Sequence, residues 1–281
     1  MKQSVTNVIY DYCNERPAVL CQPHIQTALA QNRTEAHYHR TLTLHAFRGN
    51  LCLKGRIPKA QMLDILYRSD AEAGLLELGR YPTKRIVNAL FPLLYSQDEI
   101  IKWRAVTFMG IFMADLAEKD MEAARNVMRR FMWNLNDESG GIGWGSPEAM
   151  GEILARHQGL AEEYAVILLS YADEDGNYLE LPMLQRGLLW GIARFSEVAP
   201  QVVKDSKLQF SHYLKSTDAA VRGHAARILG LVGAKEDRKY LLSLLKDKSA
   251  YMTYADGRYM KHFVGEAVED ALLKLEMDTS N

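Results

Sequence analysis

From residue 81 to the C terminus, apolar residues return at three- and four-residue spacing, and clusters of Gly, Pro, Ser and Asp punctuate the runs. That pattern predicts amphipathic helices joined by short turns. The spacing pairs helices over 83–95 and 99–118, 121–134 and 147–156, 160–171 and 182–196, 200–214 and 219–232, and finally 235–245 with a last helix near 259–275. Pro147, Pro182 and Pro200 each suit a first helical position, where a missing amide costs least. The first 80 residues are less regular. Helical spacing occurs in Val5-Val8-Ile9-Tyr12, in Tyr38-Leu42-His45-Ala46 and in Met62-Leu63-Leu66-Tyr67, with breaks near Pro17, Pro23, Gly49, Gly55 and Pro58. Short helices acting as an atypical terminal cap are expected there. No alternation of strand type is read anywhere, so the expected fold class is all-α.

A repeat underlies the pattern. Met109-Gly110, Met150-Gly151, Trp190-Gly191 and Leu229-Gly230 recur about every 40 residues, a period of two-helix units. The frames 98–110 and 218–230 align, with Lys102 matching Arg222, Ala105 matching Ala225 and Val106 matching Ala226. Asp218 occupies an N-cap position. Val221, Leu229 and Val232 form a stripe to be buried, and Ala225, Ala226 and Gly230 are small enough for a neighbouring helix to come close.

The stretch Asp218-Ala-Ala-Val-Arg222-Gly-His-Ala-Ala226-Arg-Ile-Leu-Gly230, continuing through Leu245 to Asp247, resembles a HEAT repeat of the type first described in phycobilisome-lyase relatives. The resemblance implies an α-α superhelix, a right-handed solenoid of antiparallel helix pairs. It would run as one continuous array over 81–281 behind the cap of residues 1–80. It specifies scaffold positions and no chemistry.

One stretch breaks the regularity. Turns within the pairs are short, as at Ser96-Gln97-Asp98, but the connection from Asn134 to Pro147 is about a dozen residues long and carries Gly140, Gly141, Gly143 and Gly145. Gly151 stays in register all the same. Loop 135–146 is therefore read as replacing the first turns of a helix and leaving a notch in the concave, partner-facing wall that the resemblance implies. Trp133, Asp137, Glu138, Trp144 and Glu148 border that notch, with Arg104 on the same face; these six are the candidate ligand-binding residues. The acids and indoles suit a cationic or hydrogen-bond-donating group. The competing reading is that the indoles fill the space of the missing turns and the acids cap loop amides. Carrying the repeat frame along the chain adds Thr107, Gln185, Leu188, His224 and Arg227 to the expected exposed face.

Composition narrows the classes. A formal net charge of -1 over 281 residues gives no global attraction to nucleic acid or anionic membrane. No run approaches the ~18 apolar residues of a membrane span, and the N terminus lacks a secretory apolar region. The expected location is the cytoplasm. Cys13, Cys21 and Cys52, with His24, His37 and His39, fit no zinc spacing, and no metal, cofactor or catalytic residue is expected. Gly141-Ile-Gly143-Trp-Gly145 follows a helix and is ringed by acids, so it is not read as a phosphate loop. The favoured function is a non-enzymatic binding or scaffold protein for a protein, peptide or small ligand. Two alternatives are a HEAT-like DNA glycosylase acting on alkylated bases, for which Trp103, Arg104, Arg125, Arg129, Arg130, Trp133, Asp137 and Trp144 supply the residue types, and a lyase or chaperone for a cofactor or chromophore.

Overall fold

The computed structural model describes residues 53–277 except 54, 69, 137–142, 207–209, 234 and 256. The proposed helices around Val5 and Tyr38, the cysteines, and the acids Asp137 and Glu138 lie outside the described residues. The described chain divides into two compact units, with the division after Ala161.

The first unit is arranged around one long helix. Its elements are α1 (Lys59–Tyr67), α2 (Ala71–Leu78), α3 (Thr83–Leu90) continued by a 3-10 turn (Phe91–Tyr95), α4 (Glu99–Lys119), α5 (Met121–Leu135) and α6 (Ser146–Arg156). Helix α7 (Gln158–Ser170) runs across the division. Helix α4 packs against α1, α3, α5 and α6. Its start is fixed by Asp98, whose carboxylate accepts from the amides of Ile100 and Ile101 at 2.9 and 3.2 Å. Its end and the start of α5 share one residue: the Asp120 amide closes α4 on Leu116, and the Asp120 carboxylate accepts from Ala123. Phe91 and Phe131 stack at 4.7 Å in the core between α3 and α5, and Phe108 and Phe112 of α4 are fully buried.

The second unit repeats this plan around α10. It contains α8 (Pro182–Ser196), α9 (Pro200–Asp205), a 3-10 turn (Phe210–Lys215), α10 (Ala219–Val232), a 3-10 turn (Lys235–Asp237), α11 (Arg238–Leu242), a β-hairpin and α12 (Val264–Met277). Helix α10 lies between α8 and α12. Asp218 caps it as Asp98 caps α4, accepting from Ala220 and Val221 at 2.9 and 3.2 Å. Even the residue two positions earlier is used alike: Ser96 Oγ accepts from the Asp98 amide, and Ser216 Oγ from the Asp218 amide. The ladder glycines also match. A Cβ on Gly110 would lie 2.6 Å from Glu152 Cγ of α6, and one on Gly230 would lie 2.6 Å from Ala271 Cα of α12. In both units the glycine lets the next helix of the layer approach closely. Of the expected stripe, Val221 and Leu229 are buried and Val232 is half-buried at the end of α10. The outer side of α12 exposes Glu266, Glu269, Asp270, Lys274 and Glu276 together with Leu273.

The architecture is helical and repetitive, and it departs from expectation at the hairpin and in the helix expected over 200–214. Residues 259–263 are not the start of the last helix. Strand β1 (Ala250–Ala255) pairs antiparallel with β2 (Arg258–Phe263), Tyr251 facing His262 and Thr253 facing Met260. Asp256-Gly257 is a two-residue turn sequence of the type hairpins require, and Gly257 adopts φ 74°. The outer helix expected over 200–214 is likewise broken into α9 and a 3-10 turn.

Candidate functional site: the end of α5 and the start of α6

Helix α6 starts without a side-chain cap. Gly145 stands at its N-cap with φ 74°, and a Cβ there would lie 2.6 Å from the carbonyl oxygen of Leu94, so conformation and space both demand glycine. Gly143 is buried against the end of α5, where a Cβ would meet Asn134 O at 2.9 Å. The two ends of the loop therefore touch. Asn134 Nδ2 is anchored in turn on the Tyr95 hydroxyl at 2.7 Å.

Three polar groups belong to this start. Trp144 Nε1 and Ser146 Oγ are buried and have no hydrogen-bond partner among the described residues. Glu148, on the first turn of α6, is 6 % exposed. Burial pushes its carboxyl above the ordinary range; Lys102 and its own backbone amide pull the other way, and Glu99 adds to the rise. Lys102 itself pairs with Glu99 at 2.8 Å. Buried polar groups are almost always satisfied, so an unmet indole N–H, an unmet hydroxyl and a desolvated carboxyl at alternate positions of the five residues 144–148 form an unusual set. Immediately before the loop, Trp133 is 62 % exposed, the most exposed large hydrophobic side chain among the described residues.

Of the residues expected to share a site, Trp133 stands exposed at the end of α5, Trp144 lies just before α6, and Glu148 is buried in the first turn of α6 within the field of Lys102 and Glu99. Arg104 is engaged elsewhere. Its guanidinium donates to the carbonyl oxygens of Leu66, at 2.8 Å, and Arg68, so it holds the C-terminal end of α1. On the face predicted by the repeat frame, Gln185, Leu188 and His224 are buried, like Glu148, which corrects the expectation that they are exposed. For two of them the covering segment is clear: Gln185 donates to Leu179 O and the Tyr178 hydroxyl, and His224 meets the ring of Tyr251. The side chains that could have suited a DNA-repair site have structural partners. Trp103 is buried with Nε1 donating to Glu99 at 3.0 Å, Arg125 and Arg129 pair with Glu122, and Arg130 lies over the Phe91 ring at 3.7 Å.

A second polar cluster was not anticipated as a site. Beneath the hairpin, His224 Nδ1 and Thr253 Oγ1 are buried and have no partner among the described residues. Burial lowers the His224 pKa from 6.5 to about 3, and Arg227 and His262 push in the same direction. The aromatic alternation around Asp256-Gly257 was the signal that could have found it.

No family model matches the chain. It is 22 % identical to an uncharacterized protein of Archaeoglobus fulgidus over 190 residues, which cover 67 % of this chain and 94 % of that one. Among solved structures it is similar to an engineered protein, with a TM-score of 0.43, 15 % identity and coverage of 90 % of this chain and 96 % of that chain. A designed armadillo repeat protein in complex with the peptide (KR)4 gives a TM-score of 0.42 at 17 % identity, covering 89 % of this chain and 99 % of that one.

Proposed function

We propose that the chain is a non-enzymatic helical-repeat binding protein, and that the junction of α5 and α6 engages a cationic side chain of a protein or peptide partner. The carrying observation is the exposed indole of Trp133 at the end of α5, followed in the chain by a helix start whose Trp144 N–H and Ser146 hydroxyl lack partners among the described residues and whose Glu148 carboxyl is buried. An aromatic face beside carboxyl groups suits lysine or arginine, through cation–π attraction and charge-assisted hydrogen bonds. Asp137 and Glu138, adjacent in sequence, add negative charge to the same loop. We read the repeat as HEAT-like, supported by the shared Ser-x-Asp starts of α4 and α10 and by the glycine ladder.

Calorimetric titration with an alternating Lys-Arg octapeptide, and with a poly-glutamate control, tests the reading. Trp133→Ala is expected to weaken binding of the basic peptide by about 2 kcal/mol, as loss of an aromatic anchor does, and to leave the melting temperature unchanged because the side chain is exposed. Glu148→Gln should weaken it as well. Binding that neither variant alters would remove the junction from consideration as the recognition point.

A further inference from the structure

The hairpin is laid on the helices chiefly through one strand. The Tyr251 ring of β1 sits on Gly223 of α10, where a Cβ would lie 2.4 Å from the ring, and meets His224 edge-on with centroids 5.4 Å apart. Three residues on, the Tyr254 carbonyl accepts the buried indole N–H of Trp190 on α8 at 2.8 Å. Register explains that bond. Tyr254 lies opposite Tyr259, next to the pair that closes the two-residue turn, and in such a hairpin its carbonyl points away from β2. At the tip, Gly257 has open space around it.

A side chain in a seat and a main-chain carbonyl on a fixed donor are the contacts by which protein surfaces hold extended peptides. The fit is incomplete. His224 Nδ1 on the helix and Thr253 Oγ1 on the strand are both enclosed at this joint without a partner, in residues 4 % and 5 % exposed. Two unmet polar atoms weigh against the closed arrangement, whereas a core element selected only for stability would have them paired.

We propose that the surface of α8 and α10 beneath the hairpin is a peptide-binding groove, that the hairpin is its built-in and displaceable occupant, and that it accepts in trans an extended protein segment of the same chemistry. That segment carries an aromatic side chain for the Gly223 seat and, three residues later, a free carbonyl for Trp190. The groove shares no residue with the Trp133 junction, so each reading stands or falls separately.

Fluorescence anisotropy with a labelled peptide of the sequence of residues 249–264 is the direct test. Tyr251→Ser empties the seat, and this variant is expected to bind the peptide at least about tenfold more tightly than the unaltered chain. Adding Gly223→Val fills the seat and is expected to abolish the gain. Equal affinity for the unaltered chain and Tyr251→Ser, or a gain that survives Gly223→Val, overturns the proposal. If Tyr251→Ser does not fold, hydrogen exchange on the unaltered chain decides. Amides of β1 and β2 are expected to exchange at least about a hundredfold faster than those of Ala225 and Ala226 in α10; equal rates would make the hairpin a fixed part of the core and end the idea.

Discussion

Helices α6 and α10 each carry an apolar-glycine pair of the repeat spacing, Met150-Gly151 and Leu229-Gly230, and they begin in opposite ways. α10 starts with a Ser-x-Asp cap that satisfies its first amides, then buries a base, His224. α6 starts with a left-handed glycine and no side-chain cap, and buries an acid, Glu148. Both starts enclose polar atoms that lack partners among the described residues, α10 under a hairpin and α6 beneath the end of a loop that follows an exposed tryptophan in the chain. The difference shows that such groups occur at a helix start with a side-chain cap and at one without.

The largest test of this contrast is backbone conformation. Gly145→Ala is expected to lose about 2–5 kcal/mol, combining a left-handed φ with a clash against the Leu94 carbonyl. Urea unfolding measures it, and a loss below that of a cap substitution would mean the α6 start relaxes freely. Of similar size, Leu229→Ala in α10 should cost roughly 2–5 kcal/mol through lost burial and a cavity. A midpoint near that of the unaltered chain would show that the α10 stripe is not core.

Acidification separates the two buried groups by sign. Because the folded His224 pKa lies near 3 and the ordinary value is 6.5, the unfolded chain binds a proton that the native state refuses between those values. Its stabilising contribution is complete above pH 6.5 and falls as pH is lowered towards 3, at up to ~1.4 kcal/mol per pH unit. Glu148 behaves conversely. Its folded pKa is raised, so stability is greatest below the ordinary value of 4.5 and is lost as pH rises through the raised value. Glu148→Gln should therefore raise the melting temperature at pH 7 and leave it nearly unchanged at pH 4; the same shift at both would mean the carboxyl is already solvated. Thermal melts of His224→Gln between pH 4 and 7 should lose much of the acid slope.

The smallest effect belongs to the caps. Asp98→Ala and Asp218→Ala should each cost about 1 kcal/mol. Unequal costs would show that the shared Ser-x-Asp geometry hides different surroundings, such as the Tyr67 hydroxyl on Asp98 or the Arg186 pair on Asp218.

Much of this was readable from local sequence. The Asp98 and Asp218 caps and the irregularity after Trp133 are expressed in residues close together in the chain, and Gly110 and Gly230 recur in matching frames, so spacing reveals them. What escaped depends on segments that arrive from elsewhere. Nothing near Arg104 shows that the carbonyls of Leu66 and Arg68 will meet its guanidinium, and nothing near His224 announces Tyr251. The hairpin is a different case. Tyr251, Thr253 and Tyr254 before Asp256-Gly257, with Tyr259 after it, carry a period of two and a turn signal, but the run is short and borders a true helical period from Val264 onward. The helical reading was extended backwards over it. Within the candidate site, Trp133 and Trp144 were chemically conspicuous, while the burial of Glu148 is a property of its packing that sequence does not state.

The ladder glycines bear on how freely the units could be exchanged. Gly110 leaves room for the Glu152 side chain, which is ion-paired with Arg156, whereas Gly230 leaves room for the backbone of Ala271. The two vacancies are the same size and admit different neighbours. A chimera that set α10 against α6 would bring a helix shaped for an alanine onto a buried ion pair, so these repeats are homologous in spacing without being modular. Transplanting one would require its following helix to travel with it.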